Sequence, residues 1–399
     1  MASEQVGQKR RLLASEYNNL LIQTRQLSGF ESFLLPIKAK ELMKVARSGQ
    51  AVVLNCHKDY CDALIILLGH GDVRYLSLPN FTKDDARRLR SNLVSPLRAH
   101  KLLQRGVKVS GQLGYEGVLK ILWTNVVQPI LSYLGYIDDT VTDPLPHITW
   151  CPTGPLSFLP LHAAGNYSQT KSRVFDYVIS SYTPTLSALL AATPRSLDRS
   201  CRVLVVGQAN TPNHNPLHGT TKELAHIKSH THNKVGYSQL VDDQATTTAV
   251  LGAMEHHDWV HLACHAHQNV KDPTKSGFYL HDGTLDLASI NRRSFKNKGL
   301  AFLSACQTAT GDETLPDEAI HLASGMLMAG YPSVIATMWS VDDEDAPFVA
   351  DKVYERLMKD GTIGNGEAGR ALHHAVAGLR DRVGEDHFER WVPYIHIGT

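Results

Sequence analysis

Residues 299–311 read GLAFLSACQTATG, and the expected architecture can be built outward from this stretch. Its first half is apolar, as in a buried strand, and its second half is small and polar. A strand that ends beside Cys306, among residues too small to cover a side chain, presents a thiol at the edge of a sheet. A buried structural cysteine is the alternative, but the small polar neighbours favour a nucleophile.

A second predicted strand ends beside a histidine, the side chain that a cysteine nucleophile needs as its base. Residues 259–263 read WVHLA and lead directly to Cys264 and His265. A cysteine nucleophile needs a base that takes the thiol proton, and His265 lies where the strand gives way to a loop. We therefore predict that His265 activates Cys306. The next residue, Ala266, is small enough for its main-chain N–H to approach a carbonyl oxygen, and with the N–H of Cys306 it would form an oxyanion hole.

The neighbouring histidines have other interpretations. His261 lies inside the strand and is expected to be a packed core residue, whereas His267 and His281 follow in a loop and are expected to be solvated. Zinc is disfavoured, because adjacent side chains on an extended strand point to opposite faces. Cys264 and His265 therefore cannot readily share one ion, and we expect no metal.

An acidic run at residues 342–345 follows the apolar strand predicted at residues 333–339. Asp345 precedes an Ala-Pro pair and is a candidate helix N-cap. Asp342 and Asp343 need another account, since they lie where a strand ends at the binding edge of a parallel sheet. They would line a pocket for a basic substrate side chain. Solvated acids are the alternative.

The fold class follows from the order of the predicted elements. Residues 202–206 read RVLVV, a continuous run typical of a parallel strand that is buried on both faces. Strands alternate with helices of about ten or more residues, which indicates an α/β protein with a mostly parallel sheet. Residues 191–200 have the weakest pattern, so we predict two lobes, 1–195 and 196–399.

Composition excludes several classes of function. Lys and Arg number 40 and Asp and Glu 39, and this balance argues against nucleic acid or a membrane as the main partner. The first residues carry no apolar signal segment, and the longest apolar runs are too short to cross a bilayer. The six cysteines lack the paired spacing of a disulfide framework, and Cys56 and Cys61 lack the second pair of a zinc site. We expect free thiols, a cytoplasmic location and, because phosphate-binding motifs are absent, no cofactor.

Several blocks of the sequence resemble the CHAT domain, a caspase-like peptidase module often appended to tetratricopeptide repeats and related to separase. The blocks include residues 259–266 (WVHLACHA), 301–311 (AFLSACQTATG) and 391–398 (WVPYIHIG). The resemblance implies a caspase–hemoglobinase fold, with a mostly parallel sheet flanked by helices. It also implies a Cys–His dyad, for which His265 and Cys306 match the family positions.

The resemblance carries further expectations. The residue after the histidine is commonly Gly in the family, so Ala266 departs from the pattern. Separase-like relatives bind a P1 Arg through an acidic residue after the strand that ends in Trp, and Asp343, beside Asp342, matches best. Residues 1–195 resemble the inactive companion, or pseudo-protease, half of separase.

The expected function is that of a cysteine endopeptidase. It would cleave a protein substrate after a basic P1 residue and stay latent until a regulatory repeat domain or another partner activates it. The alternative is a catalytically silent CHAT scaffold that binds protein partners.

Overall fold

The computed structural model of the chain describes residues 2–47, 49–69, 72–99, 114–137, 144–192, 200–269, 272–293, 295–305, 322–359 and 367–399. The chain forms two compact units, which divide after Lys44. The first unit contains helix α1 (Ala2–Arg25) and the short helix α2 (Ala39–Leu42). None of the helices in the described ranges has the length and apolar character needed to cross a membrane.

The second unit is built on a large sheet. Its strands, with those of a small second sheet, are β1 (Gln50–Cys56), β2 (Cys61–Ile66), β3 (Val73–Leu78), β4 (His147–Pro152), β5 (Ile179–Tyr182), β6 (Arg202–Gly207), β7 (Gly236–Val241), β8 (Trp259–Ala263), β9 (His265–His267), β10 (Gly277–Leu280), β11 (Gly283–Asp286), β12 (Leu300–Ser304), β13 (Ser333–Thr337) and β14 (Tyr394–Gly398).

The large sheet has 11 described strands, in the order β3-β2-β1-β4-β5-β14-β13-β12-β8-β6-β7. Strands β1, β4, β5 and β14 run parallel to one another, and so do β13, β12, β8, β6 and β7. Because β13 and β14 are antiparallel, the two parallel blocks run in opposite directions. The mostly parallel α/β sheet predicted from the sequence is therefore confirmed. The small sheet has the order β11-β10-β9.

Helices flank this sheet. They are α3 (Lys83–Ala99), α4 (Tyr115–Leu122), α5 (Gln128–Tyr133), α6 (Leu186–Ala191), α7 (Gly219–Thr231), α8 (Thr247–His256), α9 (Leu287–Asn291), α10 (Leu322–Met328), α11 (Ala346–Leu357), α12 (Ala368–Val383) and α13 (Phe388–Trp391).

Local sequence chemistry explains several helix boundaries. The N–H of Asp85 donates to Thr82 Oγ1, and the N–H of Thr82 donates to Asp85 Oδ2, so a capping box begins α3. A π-helical turn, Trp123–Val127, separates α4 from α5 and lies just before Pro129. Pro129 cannot donate an intrahelical hydrogen bond, which accounts for the irregular turn that precedes it.

A buried polar network lies where the two parallel blocks meet. Ser181 Oγ on β5 lies 2.7 Å from His147 Nε2 on β4 and 2.6 Å from His396 Nδ1 on β14. The other nitrogen of His396 lies 2.8 Å from Ser333 Oγ on β13. Burial lowers the pKa of His147 to about 4 and that of His396 to about 3, so both rings are neutral. The network therefore joins four strands without a buried charge.

Strands β1 to β5 precede residue 195 and β6 to β14 follow it. The two sets join through β5 and β14, where Tyr182 faces Ile397. The proposed boundary itself falls at residues 193–199, which lie outside the described residues. The division into lobes 1–195 and 196–399 therefore stays a prediction.

Candidate active site

Strands β8 and β12 are parallel neighbours in the large sheet, and the register pairs Ala263 with Ser304. Each of these residues precedes a predicted dyad residue by two positions, since His265 follows Ala263 and Cys306 follows Ser304. The carboxyl ends of parallel neighbours lie at the same edge of a sheet. Cys306, with its predicted N–H contribution to an oxyanion hole, lies outside the described residues.

His265 is 5% exposed and is held by the connection between β6 and α7. Its Nε2 lies 2.8 Å from the main-chain carbonyl oxygen of Asn215. A carbonyl oxygen only accepts hydrogen bonds, so Nε2 carries a hydrogen and donates it. In the neutral ring the lone pair is therefore on Nδ1, and Nδ1 is the atom that can take a proton.

The His265 imidazole packs against the ring of His214. The ring of His214 stacks on it with centroids 5.0 Å apart, and Tyr279 lies 4.2 Å from the ring of His214. Tyr279 also faces His265 across the register of β9 and β10. These contacts limit rotation of the imidazole. Neither Asn215 nor His214 was anticipated from the sequence, because both lie in a connection without periodicity.

His267 differs from its prediction as a solvated loop residue. It lies in β9, is half-buried, and its ring centroid is 4.9 Å from that of Tyr279. Burial lowers the pKa of His267. The prediction was wrong because pairing with β10 creates a strand of only three residues, which is too short to show a pattern. His281 is exposed, as predicted.

Ala266 lies at the centre of β9, where it faces Phe278 of β10 and is half-buried. It follows His265 directly, so its main chain is fixed by the same small sheet. Its contribution to an oxyanion hole stays a prediction, since the hole needs a second donor at residue 306.

Ala305 is the last described residue before position 306, and it is tied to the next strand. Its carbonyl oxygen accepts a hydrogen bond of 2.7 Å from Thr337 Oγ1, at the end of β13. Both residues are buried. The bond fixes the main chain immediately before Cys306. The sequence carried a weak signal for this contact, because the apolar run of β13 ends in Thr337, a residue with a hydroxyl group.

His261 is a core residue, as predicted. It is fully buried on β8, and its Nε2 lies 2.9 Å from Oε1 of Glu223 on α7, which is also fully buried. The ring of His261 packs against that of Phe302, with centroids 4.5 Å apart. A buried carboxylate is stable only when it is hydrogen-bonded, so this pair connects α7 to the sheet beneath the candidate site.

Asp343 lies near the same β6–α7 connection. Its Oδ2 accepts a hydrogen bond of 2.6 Å from the main-chain N–H of Gly219, the first residue of α7. The side chain of Asp343 is half-buried. The segment from Asn215 to Gly219 thus contacts the predicted base at one end and the predicted specificity residue at the other.

The other acids of the run have structural contacts. Asp342 Oδ1 accepts a hydrogen bond of 2.9 Å from the N–H of Glu344.

Asp345 stands at the start of α11, but its side chain makes no capping bond, so its prediction as a side-chain cap was wrong. It is fully buried and binds Arg390 through both oxygens, at 2.6 and 2.7 Å. Burial raises the pKa of Asp345, and the bonds to Arg390 oppose that effect. A buried carboxylate gains more from two charge-assisted hydrogen bonds to a guanidinium than from one main-chain N–H at the start of a helix.

Within the described ranges, no group of three or more His, Cys, Asp or Glu side chains has the arrangement of a metal site.

The geometry has counterparts among known proteins. Separase of Saccharomyces cerevisiae, solved in complex with securin, superposes with a TM-score of 0.60 at 10% identity, over 90% of this chain and 31% of that one. Gingipain R (RgpB) of Porphyromonas gingivalis gives a TM-score of 0.48 at 11% identity, over 69% and 68% of the two chains. The likeness to separase confirms the expected caspase-like fold.

Sequence comparison is consistent with this fold. A segment of 86 residues is 37% identical to separin of Emericella nidulans, and it covers 20% of this chain and 4% of separin. The chain thus spans only a small part of separin and less than a third of the yeast separase chain. Residues 116–399 match the model of the family described as the CHAT domain. Because that match covers well over half of the chain, the protein belongs to the CHAT domain family.

Proposed function

We propose that this CHAT domain is a cysteine endopeptidase in which His265 and Cys306 form the catalytic dyad. The observation that carries the proposal is the hydrogen bond from His265 Nε2 to the carbonyl of Asn215. It holds the tautomer in which Nδ1 accepts the thiol proton of Cys306, and it stabilises the imidazolium that forms. A main-chain carbonyl thus replaces the carboxylate of a triad as the group that orients the base.

The reaction follows from these roles. The thiol proton of Cys306 moves to Nδ1, and the thiolate attacks the scissile carbonyl carbon. The N–H groups of Ala266 and Cys306 stabilise the negative oxygen. His265 then gives the proton to the leaving amine, and water releases the acyl-enzyme with the same base.

Asp343, with Asp342 beside it, is proposed to bind a basic P1 side chain. Asp343 follows β13, the strand next to β12 in the sheet, and its carboxylate is anchored by the N–H of Gly219. A half-buried, oriented carboxylate suits bidentate binding of a guanidinium group.

Control by a protein partner completes the proposal. The yeast separase relative was solved with securin, and we propose by analogy that a partner or a regulatory repeat domain holds this chain latent. The predicted absence of nucleic acid and membrane partners and the cytoplasmic location stay predictions.

The decisive experiment profiles new protein N-termini in a proteome treated with the wild-type chain or with Cys306→Ala. We expect cleavage after Arg and Lys with the wild type alone. His265→Gln should lower the rate by about 10²–10⁴-fold, the usual contribution of a positioned base. Equal cleavage by wild type and Cys306→Ala would refute the dyad.

A thiol-reactive peptide electrophile tests the scaffold alternative. We expect covalent modification that Cys306→Ala abolishes and that the matched variant Cys201→Ser, at a buried cysteine of the same lobe, leaves unchanged. A chain that is never modified at Cys306, with or without candidate partners, would be a silent scaffold.

A further inference from the structure

Two thiols face each other at the end of the β1–β2 hairpin. The antiparallel register pairs Cys56, the last residue of β1, with Cys61, the first residue of β2. Residues directly opposite in an antiparallel pair have side chains on the same face of the sheet. Both cysteines are in the free thiol form.

The main-chain hydrogen bonds define the type of this pair. The N–H of Cys56 donates to Thr153 Oγ1 at 3.0 Å, and the N–H of Cys61 donates to the carbonyl of Phe81 at 2.9 Å. Neither amide points at the opposite cysteine, so the two form a non-hydrogen-bonded pair. Such pairs have Cα atoms about 4.5 Å apart, which lies within the range of roughly 4.4–6.8 Å spanned by disulfides.

The sulfurs already interact. Hydrogen bonding between the two sulfurs raises the pKa of Cys56 and lowers that of Cys61. Cys61 is fully buried, whereas Cys56 is partly exposed. The pair therefore combines an accessible sulfur with a shielded one.

Cys56 also lines a cavity of about 540 Å³. The cavity lies at the ends of β1, β4 and β5, and its polar walls include Asn55, Thr153, Ser157 and Thr183. None of its lining side chains is charged. Its volume falls within the range of sites that hold small organic molecules.

We propose that Cys56 and Cys61 form a reversible disulfide by exchange with a small organic disulfide, such as oxidised glutathione, that enters this cavity. The Cys56 thiol loses its proton, and its sulfur attacks one sulfur of the incoming disulfide; the first glutathione leaves as a thiolate and takes up that proton. Cys61 then loses its own proton, its sulfur attacks the Cys56 sulfur, and the second glutathione leaves as a thiolate and takes up the Cys61 proton. The two protein thiols are oxidised and one disulfide is reduced to two thiols, so atoms and electrons balance.

The test treats the full chain with oxidised glutathione, alkylates the remaining thiols after unfolding, and maps the peptides by mass. We expect one bridge between Cys56 and Cys61 that dithiothreitol reverses. Cys61→Ser should keep glutathione on Cys56 as a stable mixed disulfide, because the resolving thiol is absent. Cys151→Ser removes another cavity thiol and should leave the bridge unchanged.

The wild-type chain alone can overturn the proposal, so the test does not depend on how well a variant folds. If Cys56 and Cys61 both remain fully alkylated under strongly oxidising glutathione, the site does not exist. A bridge from Cys56 to Cys151 would also refute the assignment of Cys61 as the resolving thiol. None of these outcomes depends on peptidase activity.

Discussion

Asp343 Oδ2 accepts a hydrogen bond of 2.6 Å from the main-chain N–H of Gly219. Gly219 begins α7, a helix of 13 residues, and a carboxylate at such an end satisfies an unpaired N–H and interacts favourably with the helix dipole. The residue proposed to recognise the substrate is therefore also a structural contact of the β6–α7 connection. Substitutions can separate the two roles.

Asp343→Asn should keep the fold and lose specificity. Asparagine retains an oxygen that can accept the hydrogen bond from Gly219 but carries no charge. We expect kcat/KM for a substrate with Arg at P1 to fall by about 30-fold or more, since losing one partner of a buried charge pair costs at least about 2 kcal/mol. A matched substrate with Gln at P1 should be unaffected.

Asp342→Asn is the control variant, measured on the same two substrates. We expect it to lower kcat/KM for the Arg substrate less than Asp343→Asn does. Asp343→Ala should lower thermal stability as well, because it removes the acceptor for Gly219. Equal discrimination between the Arg and Gln substrates by wild type and Asp343→Asn would rule out Asp343 as the P1 residue.

Gly219→Ala should destabilise the chain. A methyl group on Gly219 would overlap the main-chain carbonyl oxygen of Asp343. Because the obstacle is backbone, we expect a loss of about 1–3 kcal/mol in the free energy of unfolding, measured by urea denaturation. Gly252→Ala, at a helical glycine of α8 with open space around it, should instead stabilise by about 0.5–1 kcal/mol. Similar shifts for both variants would contradict the close approach at Gly219.

Thr337→Val should reduce activity more than stability. It removes the hydroxyl that holds the carbonyl of Ala305, next to the proposed nucleophile. We expect kcat to fall about tenfold or more, because small displacements of a reacting group are costly, and the free energy of unfolding to fall by about 1 kcal/mol. Both quantities are measured on the same preparation.

Thr231→Val is the matched control for Thr337→Val. Thr231 is also fully buried, and its hydroxyl donates to the carbonyl of Ile227 at 2.8 Å within α7. We expect a similar loss of stability with unchanged kcat. If the two variants lowered kcat equally, the bond to Ala305 would have no special part in catalysis.

Acidification should destabilise the chain through its buried histidines. Burial lowers the pKa of His147 to about 4 and of His396 to about 3, from 6.5 in the unfolded chain. Below about pH 6.5 the unfolded chain binds protons that the folded chain does not. The free energy of unfolding therefore falls as the pH falls toward about 4. Each ring contributes up to about 1.4 kcal/mol per pH unit. Urea denaturation between about pH 7 and about pH 5 measures the slope.

Burial also lowers the pKa of His162 to about 4 and that of His373 to about 3, so these rings contribute to the same slope. His396→Gln should reduce the slope without abolishing it, because one contributing ring no longer differs in proton uptake between the folded and unfolded states. The comparison is between slopes, so a change in overall stability of the variant does not affect it. A free energy of unfolding that stays constant over this pH range would contradict the burial of neutral rings in the network.

Much of the sheet could be read from the residues. The apolar runs of β6, β8, β12 and β13 predicted strands because a parallel strand covered on both faces must be apolar throughout. The strand β9 was missed, since three residues carry no periodicity and its pairing with β10 is a tertiary contact. The core role of His261 was predicted from its place in β8, but its partner Glu223 was not, because the two are 38 positions apart.

The acidic run shows why local rules were insufficient. Asp345 has the sequence context of a helix cap, yet it binds Arg390, which is 45 positions away. A buried carboxylate gains more from a bidentate guanidinium than from one helix N–H, and only the packed structure brings that guanidinium close.

By itself, the sequence determined the α/β class, the two strand ends that carry His265 and precede Cys306, and the resemblance to the CHAT domain. These features follow from continuous apolar runs and from short blocks of residues, both of which are local. The tertiary structure alone decided which nitrogen of His265 bears hydrogen and which helix Asp343 contacts. It also decided that Cys56 and Cys61 lie opposite each other as a non-hydrogen-bonded pair of the β1–β2 hairpin. Those relationships depend on strand register and on connections between distant segments, and no local pattern encodes them.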